Sequence, residues 1–201
     1  MGDRLGKGID EGIKETVVTF NLLGLNTTAS CEGHPGREKR AVPSPWVDVE
    51  ATNKPETRWV DEEQIWESTA KKYAVSVEDV KTWKTRKISL EAFNEMEKKG
   101  ETKEFGKWLK QTRLLRQKLQ KYLDEFYKDR QALPEFKLCV SPFDVATFRV
   151  EGGRLIYFGP KKNWDYPKNK DEEKAWDSIL KKRQTEMTAF TDFLKNKYFQ
   201  S

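Results

Sequence analysis

The spacing of apolar residues changes period twice along this chain, and that change restricts its fold more than any other feature. Residues 27–31 (Thr-Thr-Ala-Ser-Cys) read as a short buried strand, and residues 46–50 (Trp-Val-Asp-Val-Glu) alternate apolar with acidic side chains, as a strand with one wet face does. Between about Val60 and Arg130 the apolar positions recur at helical spacing, and from Phe136 onward β character returns. A chain that reads β, then α, then β predicts an α/β (α+β) protein, with a mixed sheet of about four to five strands packed with helices. The helical stretch is expected to be a subdomain or insertion over 60–131, and the α/β core to comprise 1–59 and 132–201.

Start and stop signals fill in the elements. Asp10 is placed to cap a helix running to about Leu23, with Ile9, Ile13, Val17 and Phe20 on one face and Gly24 as its stop. Pro35 to Pro45 is polar and rich in Gly and Pro, which indicates a loop. Three helix starts carry capping signatures: Asp61 with Gln64, Ser76 with Asp79, and Ser89 with the Ile88/Phe93 staple. A last long helix aligns Phe105, Trp108, Leu109, Thr112, Leu115, Leu119, Tyr122 and Phe126 on one stripe. Beyond Pro134, residues 136–140 read as a strand. A hairpin follows, 146–150 against 154–158, turning at Gly152-Gly153. Asp171 is placed to cap a terminal helix with Trp176, Ile179, Leu180, Phe190 and Leu194 as core candidates.

Composition excludes several classes. With 12% aromatic residues, seven of them tryptophan, the chain carries enough apolar surface to offset its ordering entropy despite 35% charged residues. No apolar run approaches the roughly 20 residues of a membrane span, and Met1 to Leu5 lacks the apolar stretch of a secretory signal. The expectation is a cytoplasmic protein without a membrane partner. Cys31 and Cys139 are too few and too far apart for a disulfide framework, and reduced thiols are expected. The net charge of +5 is a small excess of 38 basic over 33 acidic side chains. On the long helix, Lys103, Lys107, Lys110, Arg113, Arg116, Lys118 and Lys121 face only Glu104 over the same span, which fits a solvated outer face or a track for a nucleic-acid backbone. Gly-rich phosphate loops and RNA-recognition aromatic signatures do not occur.

The chain has one histidine, His34, and it stands three residues after Cys31 in Ser30-Cys31-Glu32-Gly33-His34. If this run is extended, alternation puts Ser30, Glu32 and His34 on one face, and Glu32 orients the imidazole. If the chain turns at Gly33, Cys31 and His34 meet instead, at a spacing where a thiolate and an imidazole can share a metal or form a nucleophile and base pair. His34, Glu32 and Cys31 are the catalytic candidates. A structural zinc site needs four ligands and only Cys139 and carboxylates remain to complete one, so no metal ligand set is assigned. Ser30, Gly33 and Asp10 are candidate ligand-binding residues, joined by Arg37, Lys39 and Arg40 of the following loop as contacts for phosphate oxygens.

Lys7-Gly8-Ile9-Asp10-Glu11, followed by Ile13, Asn21 and Thr27 to Gly33, resembles the N-terminal signature of the wybutosine-synthesis tRNA methyltransferase family over about 28 residues. That resemblance implies an α/β core, with Ser30, Cys31, Gly33 and Asp10 in the functional neighbourhood, S-adenosylmethionine as cofactor and tRNA as substrate. The family carries serine where this chain has Glu32 and arginine where it has His34. The variant with Glu32 and His34 looks like that of small uncharacterised bacterial or phage proteins.

Three functional classes follow. The first is a protein binding a nucleotide-like ligand or nucleotide cofactor and acting on RNA, with Glu32 and His34 as acid/base groups. The second is a non-catalytic module binding a nucleotide or macromolecule. The third is a metal-dependent hydrolase using Cys31 and His34.

Overall fold

The computed structural model describes residues 8–34, 44–152 and 169–200. The chain divides into two units, one formed by 1–51 with 112–201 and the other by 52–111. The first unit contains a four-stranded sheet made of β1 (Thr27–Cys31), β2 (Trp46–Val49), β3 (Leu138–Pro142) and β4 (Phe148–Gly152), in the order β1-β2-β4-β3. The fold is α+β. All three pairings are antiparallel, so the expected sheet is narrowed from mixed to antiparallel.

Helices in chain order are α1 (Lys14–Leu22), preceded by a 3₁₀ turn over Glu11–Ile13, then α2 (Glu62–Tyr73), α3 (Val77–Lys81), α4 (Arg86–Lys99), α5 (Lys103–Tyr127) and α6 (Lys170–Gln200). None of the described helices is long and apolar enough to cross a membrane.

One face of the sheet is dry. Val47 and Val49 on β2, Phe148 and Val150 on β4, and Leu138 and Val140 on β3 share one core with Ile13, Val17 and Phe20, with Leu119, Leu123 and Phe126 of α5, and with Met187, Phe190 and Leu194 of α6. Each such side chain contributes about 1.5–3 kcal/mol by leaving water. Phe126 and Phe190 meet at 5.2 Å between ring centroids. The stripe read along α5 is found, with Phe105, Trp108, Leu109, Thr112, Leu119 and Phe126 buried. The second unit, 52–111, ends within α5, and the apolar residues of α5 beyond Thr112 belong to the sheet's core.

The other face of the sheet is polar but not wet. Arg149 donates from Nε and Nη2 to the Asp48 carboxylate at 2.7 and 2.9 Å. Its guanidinium lies 3.8 Å from the Trp46 ring centroid and 3.9 Å from that of Phe143. Asp48 is 4% exposed under this clamp, and Glu50, whose Oε2 accepts from Thr147 Oγ1 at 3.0 Å, is 3% exposed, where strand alternation alone predicts solvent.

Helix ends show where local signals succeed. Gly24 takes a positive φ of 71°, and Leu25 N–H donates to Phe20 O at 2.8 Å while Leu25 itself is buried, which is a Schellman stop. Ser76 caps α3, accepting from Asp79 N–H at 3.0 Å. Other expectations are corrected. Ser89 lies inside α4 and is buried, donating to Val80 O at 2.7 Å. Asp61 adopts a left-handed conformation without a capping bond and pairs with Lys99 at 2.6 Å. α6 is capped by Asn169, whose Oδ1 accepts from the amides of Asp171 and Glu172, so Asp171 is already within the helix.

The hairpin partner of β4 is β3, through a turn in which Phe143 N–H donates to Thr147 O at 3.0 Å, and β2 occupies its other edge. Gly152 is thus the last residue of a central strand, approached closely by Ser44 Oγ and the stem of Arg183. Residues 153–158 of the expected hairpin lie outside the described residues. In the second unit, Ile65, Trp66, Ala70, Val80, Ala92 and Met96 form a separate small core.

Candidate metal centre

β1 is an outer strand of the sheet, and its last residue is Cys31. Beyond it the chain turns. Gly33 has φ +81°, and a Cβ there would stand 2.7 Å from Leu180 Cδ1 and 2.9 Å from the Ser44 carbonyl carbon, so glycine is required on both conformational and steric grounds. The turned alternative is the one adopted. His34 comes back over Cys31, and strand alternation no longer governs Glu32 and His34.

The third partner arrives from the start of the first helical segment. Asp10 makes no capping bond with its side chain, because its carboxylate reaches to the end of β1. Asp10 Oδ2 lies 2.9 Å from His34 Nε2 and accepts from Glu32 N–H at 3.3 Å. The cap that Asp10 gives up is supplied by Glu32, whose Oε2 accepts from Gly12 N–H at 2.7 Å. Asp10 and Glu32 thus exchange backbone amides across 20 to 22 residues of sequence. Asn21 fixes the other end of this clasp, with its side chain bonded to Val17 O, to Thr27 Oγ1 and to Thr27 N–H.

Asp10, Cys31 and His34 each offer one ligating atom, and these atoms all lie within 4.8 Å of one another. Ligand atoms around a tetrahedral zinc stand about 3.3–3.7 Å apart, so the oxygen, sulfur and nitrogen are gathered at close to coordinating separations. Gly33 N–H also points at Cys31 Sγ at 3.3 Å. Burial alone would raise the Asp10 carboxyl. The Glu32 amide, the hydrogen bond and charge of His34 and a hydrogen bond from Cys31 together outweigh it and hold Asp10 below the usual carboxylate range. The cluster is partly open to solvent, with side-chain exposures of 23% for His34, 29% for Asp10 and 28% for Glu32.

Glu32 does not hydrogen-bond the imidazole. Its Oε1 is 3.7 Å from His34 Nδ1, and Asp10 is the residue that holds the ring. Ser30 stays out of the cluster, because it pairs with Val47 and alternation turns its side chain to the face opposite Cys31. Arg37, Lys39 and Arg40 lie outside the described residues. Two contributors are absent from the sequence reading: Gly12, and Gln184 of α6, whose Nε2 donates to Glu32 O at 3.0 Å from 152 residues away. Only the small size of Gly12 offered a local signal.

Cys139 is far from this centre. Cys31, Trp46, Glu151 and Cys139 form one row of directly opposed residues across the four strands. Three interstrand steps separate the cysteines by about 14 Å, beyond the reach of a disulfide or a shared metal. A four-ligand zinc site completed by Cys139 is therefore excluded, and the set found is one oxygen, one sulfur and one nitrogen.

Of the basic side chains on α5, Lys118 has a specific partner: its Nζ donates to Leu23 O at 2.7 Å, capping the end of α1. Compared with known proteins, the chain matches no family model, no curated protein and no solved structure.

Proposed function

We propose that this protein is a metal-dependent hydrolase in which Asp10, Cys31 and His34 hold one transition-metal ion, with a nucleotide-like phosphoester as substrate. The observation that carries the reading is the convergence of three chemically different ligating atoms within 4.8 Å on a partly exposed strand end. Three protein ligands leave a coordination position for water, which is the pattern of catalytic metal sites. Thiolate and imidazole donors favour zinc or ferrous iron over magnesium or calcium.

A metal held by Asp10, Cys31 and His34 would supply Lewis acidity and a water acidified to near neutrality for hydrolysis of a P–O ester bond. The substrate class rests on two supports. Arg37, Lys39 and Arg40 follow His34 within six residues, as cations suited to phosphate oxygens. The resemblance to enzymes acting on a tRNA nucleoside covers this same strand end, and S-adenosylmethionine enters only through it.

The test is elemental analysis of protein purified without a histidine tag, with turnover assays on nucleotide phosphoesters in the presence of Zn²⁺, Fe²⁺, Mn²⁺ or Mg²⁺. The expected result is about one zinc or iron per chain, lost in Cys31→Ala and His34→Ala together with turnover. Absence of stoichiometric metal overturns the reading. Recovery of a bound nucleotide chemically intact, without turnover, assigns the site to the non-catalytic binding class.

A further inference from the structure

Resting on the metal reading above, we infer that Glu32 is the positioning residue of the centre and that Gly12 is the device that sets its carboxylate. Metal-ligating histidines characteristically present their second ring nitrogen to a carboxylate or carbonyl, which fixes the tautomer and makes the ligating nitrogen more basic. His34 presents Nε2 to Asp10 at 2.9 Å, inside the cluster, and Nδ1 to Glu32 Oε1 at 3.7 Å, outside it. Nε2 and Asp10 Oδ2 stand at hydrogen-bonding distance, and the ring tautomer decides which nitrogen carries the proton. Coordination through Nε2 would require the proton on Nδ1, which faces Glu32 Oε1 at 3.7 Å, close enough for the carboxylate charge to favour it and one small shift from a hydrogen bond.

Glu32 is held for this task at three points. Its amide donates to Asp10 Oδ2, its carbonyl accepts from Gln184 Nε2, and its Oε2 accepts from Gly12 N–H at 2.7 Å. One carboxylate oxygen is therefore anchored to a helix start while the other faces the imidazole. Gly12 makes the anchoring possible. A Cβ at position 12 would lie 2.6 Å from Glu32 Oε2, and the other close atoms, at 3.5 and 3.6 Å, belong to the same glutamate. The three atoms nearest to such a Cβ are all of Glu32, so alanine there first displaces the far end of one flexible side chain. Gly12→Ala thus moves the carboxylate without altering any ligand.

Zinc titration of the purified full chain, read by competition with a chromophoric chelator, tests the inference. Gly12→Ala and Glu32→Ala are each expected to weaken zinc binding about 10–100-fold, the range seen on loss of such outer carboxylates. Glu32→Gln should fall between them and the wild type, since its single amide oxygen can accept from Gly12 N–H or from His34 Nδ1–H but not both. Because His34 is the only histidine, its ¹⁵N imidazole spectrum belongs to one residue. The zinc-loaded wild type should show Nδ1 protonated and Nε2 metal-bound, with Nδ1–H exchanging faster in both Gly12→Ala and Glu32→Ala, a change that loss of fold stability alone does not produce. If His34→Ala abolishes zinc binding while Glu32→Ala binds as tightly as the wild type, the role of Glu32 is overturned and the metal centre stands. If the wild type takes up no zinc, both fall. Should Gly12→Ala fail to fold, the Glu32→Ala and Glu32→Gln pair decides the matter by the same criteria.

Discussion

At the scale of single residues, the polar face of the sheet is held by one pair whose removal is lopsided in cost. Asp48 is nearly inaccessible and depends on Arg149, which is itself clamped between two aromatic rings. Arg149→Ala leaves a buried carboxylate with its strongest partner gone, and is expected to lower stability by about 3–5 kcal/mol. Replacing both partners, as Asp48→Val with Arg149→Met, should cost clearly less than Arg149→Ala alone. Urea unfolding of the three variants measures the difference, and equal losses would mean that the pair does not behave as a desolvated unit. The same logic explains why the acidic residues of β2 misled a reading by alternation. Period 2 tells which side chains share a face, but whether that face is wet depends on what the neighbouring strand brings to it, here an arginine 101 residues away.

Among the elements, caps were legible where the bond they make is local and illegible where a distant group competes. Ser76 and Gly24 act within their own turns, and both were readable from their neighbours in the chain. Asp10 has the same local credentials but is drawn off by His34 and Glu32, more than 20 residues away. Ser89 stands one turn into α4 because its hydroxyl finds Val80 O across the helical unit. Aspartate substitution separates the two serines. Ser76→Asp keeps a good cap and should change stability by no more than about 0.5 kcal/mol. Ser89→Asp buries an uncompensated charge and should cost at least about 3 kcal/mol. Calorimetric midpoints of the two variants are the measurement. The strand order was equally beyond local reading. Gly152-Gly153 has the composition of a hairpin turn, yet the partner that β4 takes is β3, upstream of it in the chain. Pairing is decided by which apolar faces meet, and no window around residue 150 contains that information. The candidate site was half legible for the same reason. Cys31, Gly33 and His34 are neighbours in sequence, whereas the roles of Gly12 and Gln184 exist only once the helices pack against the sheet.

For the molecule as a whole, the sheet order fixes the redox behaviour of the two cysteines. They stand at opposite ends of one row across four strands, so a mild oxidant is expected to give no Cys31–Cys139 bridge within a chain. Intact-mass measurement under non-reducing conditions checks this, and such a bridge would require a different strand order. Metal at Asp10, Cys31 and His34 should also protect Cys31 from alkylation while leaving the modification rate of Cys139 unchanged.

Among the described residues β3 is an outer strand of the sheet, and this has a further consequence for how these molecules behave at high concentration. An outer strand offers its backbone groups to any chain that passes, and long flat edges seed aggregation. Here the strand is five residues long and ends in Pro142, which has no N–H to donate. A second molecule adding along β3 would find its ladder cut short after a few bonds. By this device the sheet limits its own growth, and Pro142→Val should make the protein measurably more prone to self-association.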